Sequence, residues 1–212
     1  MNYILHGAAG SCSLAPHIVL EEVGARYALK LLSTDRGDTR TDEFRRLNPK
    51  GRFPVLEAEN FQLTEAPAIL IHLAMAYPEA GLLEQGGDSL VRVVEWFNWL
   101  SGTVHSVAVR MIWRTDYFTS DPRQHDEIAA KGREHLSAAF SIIEERLGQR
   151  PWAVGNRYSI VDPFLLVFYR WGNRMRIDMR GQYPAWTVHA EQMEARHAVQ
   201  RALQQEGVSL WR

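Results

Sequence analysis

Cysteine is almost missing from this chain: Cys12 is the only one in 212 residues. An intrachain disulfide and a cysteine-rich zinc site are thereby excluded, which fits a reducing compartment. Net charge is nearly missing as well, with 24 Lys and Arg against 25 Asp and Glu for a formal charge of -1. Such a balance gives no overall field to capture polyanions, so nucleic acid is a poor partner. No segment reaches the ~18 consecutive apolar residues of a membrane span. Residues 1–20 hold no Lys, Arg, Asp or Glu, yet they have no basic leader, and Asn2, His6, Gly7, Gly10 and Pro16 interrupt any hydrophobic run. A secretory signal is therefore not expected, and a soluble, cytoplasmic protein is. What the chain does have is 46% hydrophobic residues and seven tryptophans, enough core for one or two domains at a loose prior of ~150 residues each.

The first third reads as a small α/β unit. Tyr3 to His6 is a short extended stretch, then comes the turn Gly7-Ala-Ala-Gly10, then a helix opening near Ser13 or Leu14 with Pro16 in its first turn, where a missing amide hydrogen costs little. Leu14, Ile18, Val19 and Val23 make its apolar stripe, Glu21 and Glu22 face away, and Gly24 ends it. Tyr27 to Leu32 reads as a second strand, and a strand, helix, strand crossover implies parallel pairing. Asp35 to Asn48 reads as a loop and a short surface helix, Asn48-Pro-Lys-Gly51 as a turn, and residues 53–63 as a small hairpin in which Pro54 signals an edge or a special backbone geometry. A further helix starts at Thr64-Glu-Ala-Pro67, with Thr64 or its neighbour as cap.

Pro78 to Gly87 is the best boundary, because beyond it the chain changes to helical periodicity. Leu90, Val93, Val94, Phe97, Leu100 and Val104 mark one long helix; Ile128, Leu136, Ala139, Ile143 and Leu147 mark another; residues 116–125, with Pro122, break the chain between them. Ser159-Ile-Val-Asp162 has capping-box spacing ahead of Phe164, Leu165, Leu166, Val167 and Phe168, with Tyr158 placed as a staple. That helix has little room for a solvent face, and the role expected of Asp162 is capping.

Cys12 follows the first strand and the glycine turn, at a helix amino end where amide hydrogens and the positive dipole favour a thiolate. An inert, buried cysteine is the competing reading. Lowering a thiol by two to three pKa units takes ~3 to 4 kcal/mol, and a helix end offers only ~0.3 to 2. Direct donors must supply the rest at ~1.5 to 3 kcal/mol each, and Ser11 and Ser13 are the nearest. Other chemistries lack support. Gly7 to Gly10 has neither the Gly-Lys-Ser/Thr of a phosphate loop nor G-x-G-x-x-G spacing, residues 12–15 lack a second cysteine for a dithiol cycle, and the eight histidines show no zinc-protease spacing, so no metal is expected.

Four segments share a pattern: Gly10-Ser-Cys-Ser-Leu-Ala-Pro-His17, Asn48-Pro-Lys-Gly-Arg-Phe-Pro54, Leu63-Thr-Glu-Ala66 and Gly155-Asn-Arg-Tyr-Ser-Ile-Val-Asp162. In order, spacing and the change of pattern near residue 80, the chain resembles the cytosolic glutathione transferase family, most nearly its bacterial beta-class branch, over essentially its whole length. The resemblance implies an α/β plus all-α fold: a thioredoxin-like domain with a four-stranded mixed sheet over residues 1–78, a linker over 79–87, and a helical domain over 88–212 that contributes a hydrophobic substrate site. It implies a homodimer, reduced glutathione as co-substrate and a small hydrophobic electrophile as its acceptor, with no metal.

Residue by residue, the resemblance makes Pro54 a cis-proline that turns the Phe53 backbone toward a peptide ligand. Glu65 and Ala66 match the acidic-plus-Ser pair that receives the γ-glutamyl end; here Ala66 lacks the hydroxyl and Pro67 lacks the next amide, a loss of ~1.5 to 3 kcal/mol unless compensated. Lys50 and Arg52 are candidates for the glycyl carboxylate, or else solvated surface charges. His105 lies where beta-class relatives place a histidine near the ligand sulfur, and packing or surface exposure is its competing role. Trp113, Tyr117 and Phe118 are candidates for an apolar acceptor pocket, and Arg110 and Arg114, four apart on one helix, for attracting an anionic substrate. Trp96 and Trp99 read as helix-packing or dimer residues. The leading expectation is conjugation of glutathione to electrophiles, with thiol transfer or peroxide reduction through Cys12 as another course; the alternative is a noncatalytic relative of binding or structural function.

Overall fold

The computed structural model describes residues 2–84 and 88–212. Four strands, β1 (Asn2–Gly7), β2 (Arg26–Leu31), β3 (Val55–Glu57) and β4 (Gln62–Thr64), form one mixed sheet in the order β2-β1-β3-β4. β1 runs parallel to β2 and antiparallel to β3, with Leu5 opposite Leu29 on one side and Leu56 on the other. The parallel pair follows from the crossover helix α1 (Leu14–Glu22), which a strand-to-parallel-strand connection requires. β3 and β4 are a hairpin in which Val55 faces Thr64. Pro54 thus precedes an inner strand rather than an edge strand, and the Phe53–Pro54 peptide is cis.

Alternation along β1 sends Tyr3 and Leu5, both buried, to one face. There they meet the core carried by α1 and by α3 (Ala66–Ala76). His6 points to the other face, where α2 (Asp42–Leu47) sets Phe44 edge-on to it. The expected cap of α3 differs in form: Glu65 occupies the cap position and no side chain caps the helix, Thr64 instead accepting a bond from Lys50 Nζ. Glu21 and Glu22 do not face open solvent. Glu21 pairs with Tyr27 and Arg201, and Glu22 takes Arg196 through two oxygens, so the polar side of α1 is docked on the second half of the chain.

That second half is helical throughout the described residues. α4 (Ser89–Trp99) runs without a break into a π-helical stretch, Leu100–Val109, and then α5 (Arg110–Trp113); α6 (His125–Gly148), α7 (Val161–Arg174), α8 (Met179–Gln182), α9 (Pro184–Glu194) and α10 (His197–Glu206) complete it. α7 is the central post, buried continuously from Val161 to Gly172. Asp162 caps more than its own helix. Its fully buried carboxylate accepts from Ser159 N (2.7 Å) and Oγ (2.9 Å), from Ala153 N (2.8 Å) and from His189 Nε2 (2.9 Å). Of the expected linker, Gln85 to Gly87 lie outside the described residues. Its earlier part is anchored rather than free, since Leu82 is buried and its carbonyl accepts from Ile160 N at 3.0 Å. No helix among the described residues is long and apolar enough to cross a membrane.

Candidate active site

The two halves meet along α1, which packs on both α7 and α10. The turn ahead of α1 is held by that contact. Gly10 N donates to Glu206 Oε2 (2.7 Å), and Gly10 O accepts from Arg170 Nη1 (3.1 Å) and Trp171 Nε1 (2.9 Å). Glu206 also takes His17 Nδ1 at 2.8 Å, with both side chains sealed from solvent. Gly10 has φ +64°, and a Cβ there would lie 2.3 Å from Arg170 Nη1. The peptide is therefore gripped at both ends by the helical half, which sets where Cys12 sits.

Cys12 lines a cleft between the halves together with Asn48, Arg52, Phe53, Pro54, Glu65, Ala66 and Pro67 from the first and Ser101, His105, Ser106, Arg110 and Phe164 from the second. Its thiol points to the Phe53 carbonyl at a long 3.9 Å. Burial pushes the Cys12 thiol up to about 12, with Glu65 and Glu206 adding to the rise and the amides of Cys12 and Ser13 opposing it. The rise amounts to ~4 kcal/mol against ionisation, more than a helix end returns. Desolvation decides the outcome, and Cys12 holds its proton at neutral pH.

The two serines do not supply the missing donors. Ser13 is buried, and its Oγ accepts from Ala8 N (3.1 Å) and lies 2.8 Å from Ser11 Oγ, so both hydroxyls close the turn on itself instead of aiming at sulfur. Gly7 makes room for this, because a Cβ there would fall 2.3 Å from Ser13 Oγ.

On the opposite side of the floor, Glu65 adopts φ 70°, ψ 119°, a left-handed geometry unfavourable for a side-chain-bearing residue. Strain of this kind clusters at ligand-holding positions. The Glu65 carboxylate pairs with Lys50 across an exposed surface, so Lys50 is engaged with the acid and does not border the cleft. Arg52 does border it. The loop bearing Arg52 is tied down by Asn48, whose side chain accepts from Lys50 N and donates to Arg52 O. The sequence marks Asn48 only as the start of a turn, although an Asn opening a Pro-containing turn is a signal for such a tie.

The wall from the second half depends on the π-helical stretch. A π turn bonds i to i+5, and here Arg110 N reaches back to His105 O. Residues five apart therefore share a face: Ser101 with Ser106, and His105 with Arg110, all four on the cleft. In an α-helix a five-residue step turns well away from the starting face, which is why the two serines escaped notice. His105 packs against Trp171 with ring centroids 4.9 Å apart and the rings tilted by 54°. Burial, then Arg110 and Arg52, lower its imidazole to about 4, so it is neutral at pH 7.

Four expected pocket residues lie elsewhere. α5 ends at Trp113, and Arg114 breaks the helix at φ -143°, ψ 56°. Trp113 consequently packs edge-on to Trp171 (5.4 Å) beneath Arg174, Arg114 pairs with Asp116 at 3.3 Å, and Phe118 stands 44% exposed. Tyr117 sits beside the cleft rather than in it, with the guanidiniums of Arg110, Arg114 and Arg52 at 4.7, 5.1 and 5.9 Å from its ring. Trp96 is a packing residue, buried and donating to Ala153 O at 3.0 Å. No group of three or more metal-ligating side chains occurs among the described residues.

Comparison with known proteins agrees with the architecture. Residues 1–75 match the glutathione S-transferase N-terminal domain and residues 105–197 the C-terminal domain. The chain is 29% identical to a glutathione S-transferase of Xanthomonas campestris, over 97% of this chain and 99% of that one. The crystal structure of a glutathione transferase from Methylococcus capsulatus is 32% identical, covers 97% of this chain and 98% of its own, and superposes with a TM-score of 0.80. A glutathione transferase homolog from Sulfitobacter with bound glutathione is 26% identical over 98% and 99% of the two chains, with a TM-score of 0.90. With both domain models matched in order and relatives aligned end to end, the chain belongs to the glutathione S-transferase family.

Proposed function

We propose that this chain binds reduced glutathione in the cleft between its halves and conjugates it through sulfur to small electrophiles. The observation that carries the reading is the convergence of the cis Phe53–Pro54 peptide, the left-handed Glu65 and the Cys12 thiol on one cleft. In this reading the Phe53 main chain pairs with the cysteinyl unit, Glu65 and the Ala66 amide receive the γ-glutamyl end, and Arg52 takes the glycyl carboxylate. Cys12, protonated at neutral pH, donates its S–H to the glutathione thiolate and does not compete as a nucleophile. Neutral His105 faces the sulfur from the other wall and can accept a proton there. The thiol proton leaves to solvent, the sulfur bonds to the electrophilic carbon, and the leaving group departs with its electron pair. Cys12 and His105 together favour the beta-class branch of the family.

Thiol transfer is a second reading, favoured by Cys12 bordering the cleft: the Cys12 sulfur attacks a mixed disulfide of glutathione, the S–S bond breaks and the other thiol leaves. A second glutathione thiolate then attacks the Cys12–glutathione disulfide, releasing glutathione disulfide and the Cys12 thiol. The raised pKa of Cys12 weighs against Cys12 as the attacking group. A noncatalytic role rests on Ala66 and Pro67. Calorimetric titration with reduced glutathione separates these classes: absence of binding at millimolar ligand overturns the transferase reading. If glutathione binds, mass spectrometry of the wild-type protein after exposure to glutathione disulfide tests the thiol-transfer course: Cys12 is the only thiol, so a mass without a glutathione adduct removes that reading. We further propose domains over 1–78 and 88–212 joined by 79–87, a cytoplasmic location, and a homodimer formed through exposed apolar side chains such as Val91 (65%) and Leu90 (43%). A light-scattering mass near 24.3 kDa at all working concentrations would refute the dimer.

A further inference from the structure

The cations at the cleft have fewer anions than they need. Arg52 and Arg110 both line it, and both guanidiniums converge on the Tyr117 ring, where Arg114 joins them. Among the described residues Arg114 alone of the three has a carboxylate, Asp116; no ion pair engages Arg52 or Arg110. Glu65, the acid on the floor, is already paired with Lys50. Gathering like charges around one ring is unfavourable until an anion arrives. Bound glutathione would place one carboxylate at Arg52, which leaves Arg110 unmatched. Ser101 Oγ, buried on the same wall, has no hydrogen-bond partner and is a spare donor.

We propose that the electrophile accepted by this enzyme carries a carboxylate or similar anionic group, held by Arg110 against the half-exposed face of Tyr117. The inference rests on the transferase reading above, and it replaces a purely hydrophobic acceptor with a small anionic aromatic or enoyl one. A guanidinium that lies against a ring and is weakly hydrated suits a planar carboxylate better than a lysine would.

The test compares a chloronitrobenzoate with the matching chloronitrobenzamide, each attacked by glutathione at the carbon bearing chlorine. The C–S bond forms, the C–Cl bond breaks, chloride leaves with the electron pair, and the thiol proton passes to water. Wild-type kcat/KM, each value divided by that substrate's uncatalysed rate constant with glutathione, is expected to favour the benzoate at least tenfold at low salt, with the preference residing in KM and shrinking as ionic strength rises. Arg110→Gln should bring the ratio near one, and Arg110→Lys should restore part of it. A wild-type ratio of one, or equal losses on both substrates in Arg110→Gln, would overturn the proposal; equal losses would assign Arg110 to the sulfur instead. Should Arg110→Gln fail to fold, the wild-type ratio and its salt dependence still decide. Failure to bind glutathione at all is a separate result that removes the transferase reading itself.

Discussion

Replacing Gly10 by Ala tests whether the grip of the helical half on the first turn contributes to stability. At φ +64° an alanine costs ~1 to 2 kcal/mol relative to glycine. Its Cβ would meet Arg170 Nη1 at 2.3 Å and Cζ at 2.5 Å, so the guanidinium must leave Gly10 O. Loss of that charge-assisted bond costs a further ~1.5 to 3 kcal/mol, because Arg170 is itself buried and has no water to turn to. The sum is ~2.5 to 5 kcal/mol, which for a chain of this length lowers Tm by about 5 to 20 °C. Gly24→Ala is the control. Gly24 has nearly the same dihedral, φ +62°, but open space around a new Cβ, so only the backbone part of the cost applies. Thermal unfolding of both variants isolates the contribution of Arg170, and the pair Gly10→Ala with Arg170→Met should be less than additive. A Gly10→Ala variant no less stable than Gly24→Ala would refute the clamp.

Three other outcomes follow from the cleft. Alkylation of Cys12 by iodoacetamide should be about a thousandfold slower at pH 8 than that of an ordinary thiol, rising tenfold per pH unit with no plateau below pH 10; a plateau near neutrality would show a thiolate that burial has not suppressed. Ala66 is buried on the cleft, so Ala66→Ser should tighten glutathione binding by about tenfold through the added donor; unchanged affinity by calorimetry would mean that the serine position does not face the ligand. His105 is held at about 4, below its unfolded value. Between these two values the unfolded chain binds the extra proton, so the contribution is complete above about pH 6.5 and is lost as pH falls toward 4, by ~1 to 3 kcal/mol. Urea unfolding across that range should be flatter for His105→Gln, and parallel profiles would place the titration elsewhere.

The fold was readable because its signals are local. Leu14, Ile18 and Val19 specify α1, the turn at Asn48 to Gly51 and the short runs around it specify the hairpin, and the unbroken apolar stretch from Phe164 to Phe168 specifies a central helix. The bond between Ser159 and Asp162 is legible in their capping spacing, whereas the bonds of Asp162 to Ala153 and His189, and those of Glu206, are not, because they join residues 9 to 196 positions apart. The ionisation of Cys12 also eluded the sequence: a helix amino end can be located from residue types, whereas the depth of burial that outweighs it cannot. Arg110 and Arg114, four apart, are expected to share one helical face, but the helix ends at Trp113 and Arg114 takes φ -143°, ψ 56°; where a helix stops is less legible in residue types than that it exists.

The wide coil from Leu100 to Val109 is more than a local irregularity. Its spacing sets which side chains line the cleft, Ser101, His105, Ser106 and Arg110, while its other side packs on α6. Adding or removing one amino acid inside this coil would rotate Leu100, Val104, Ala108 and Val109 out of the core as it rotated other groups onto the cleft. A change of residue type at Ser101 or Ser106 therefore alters the wall of the cleft at far lower packing cost than a change of length.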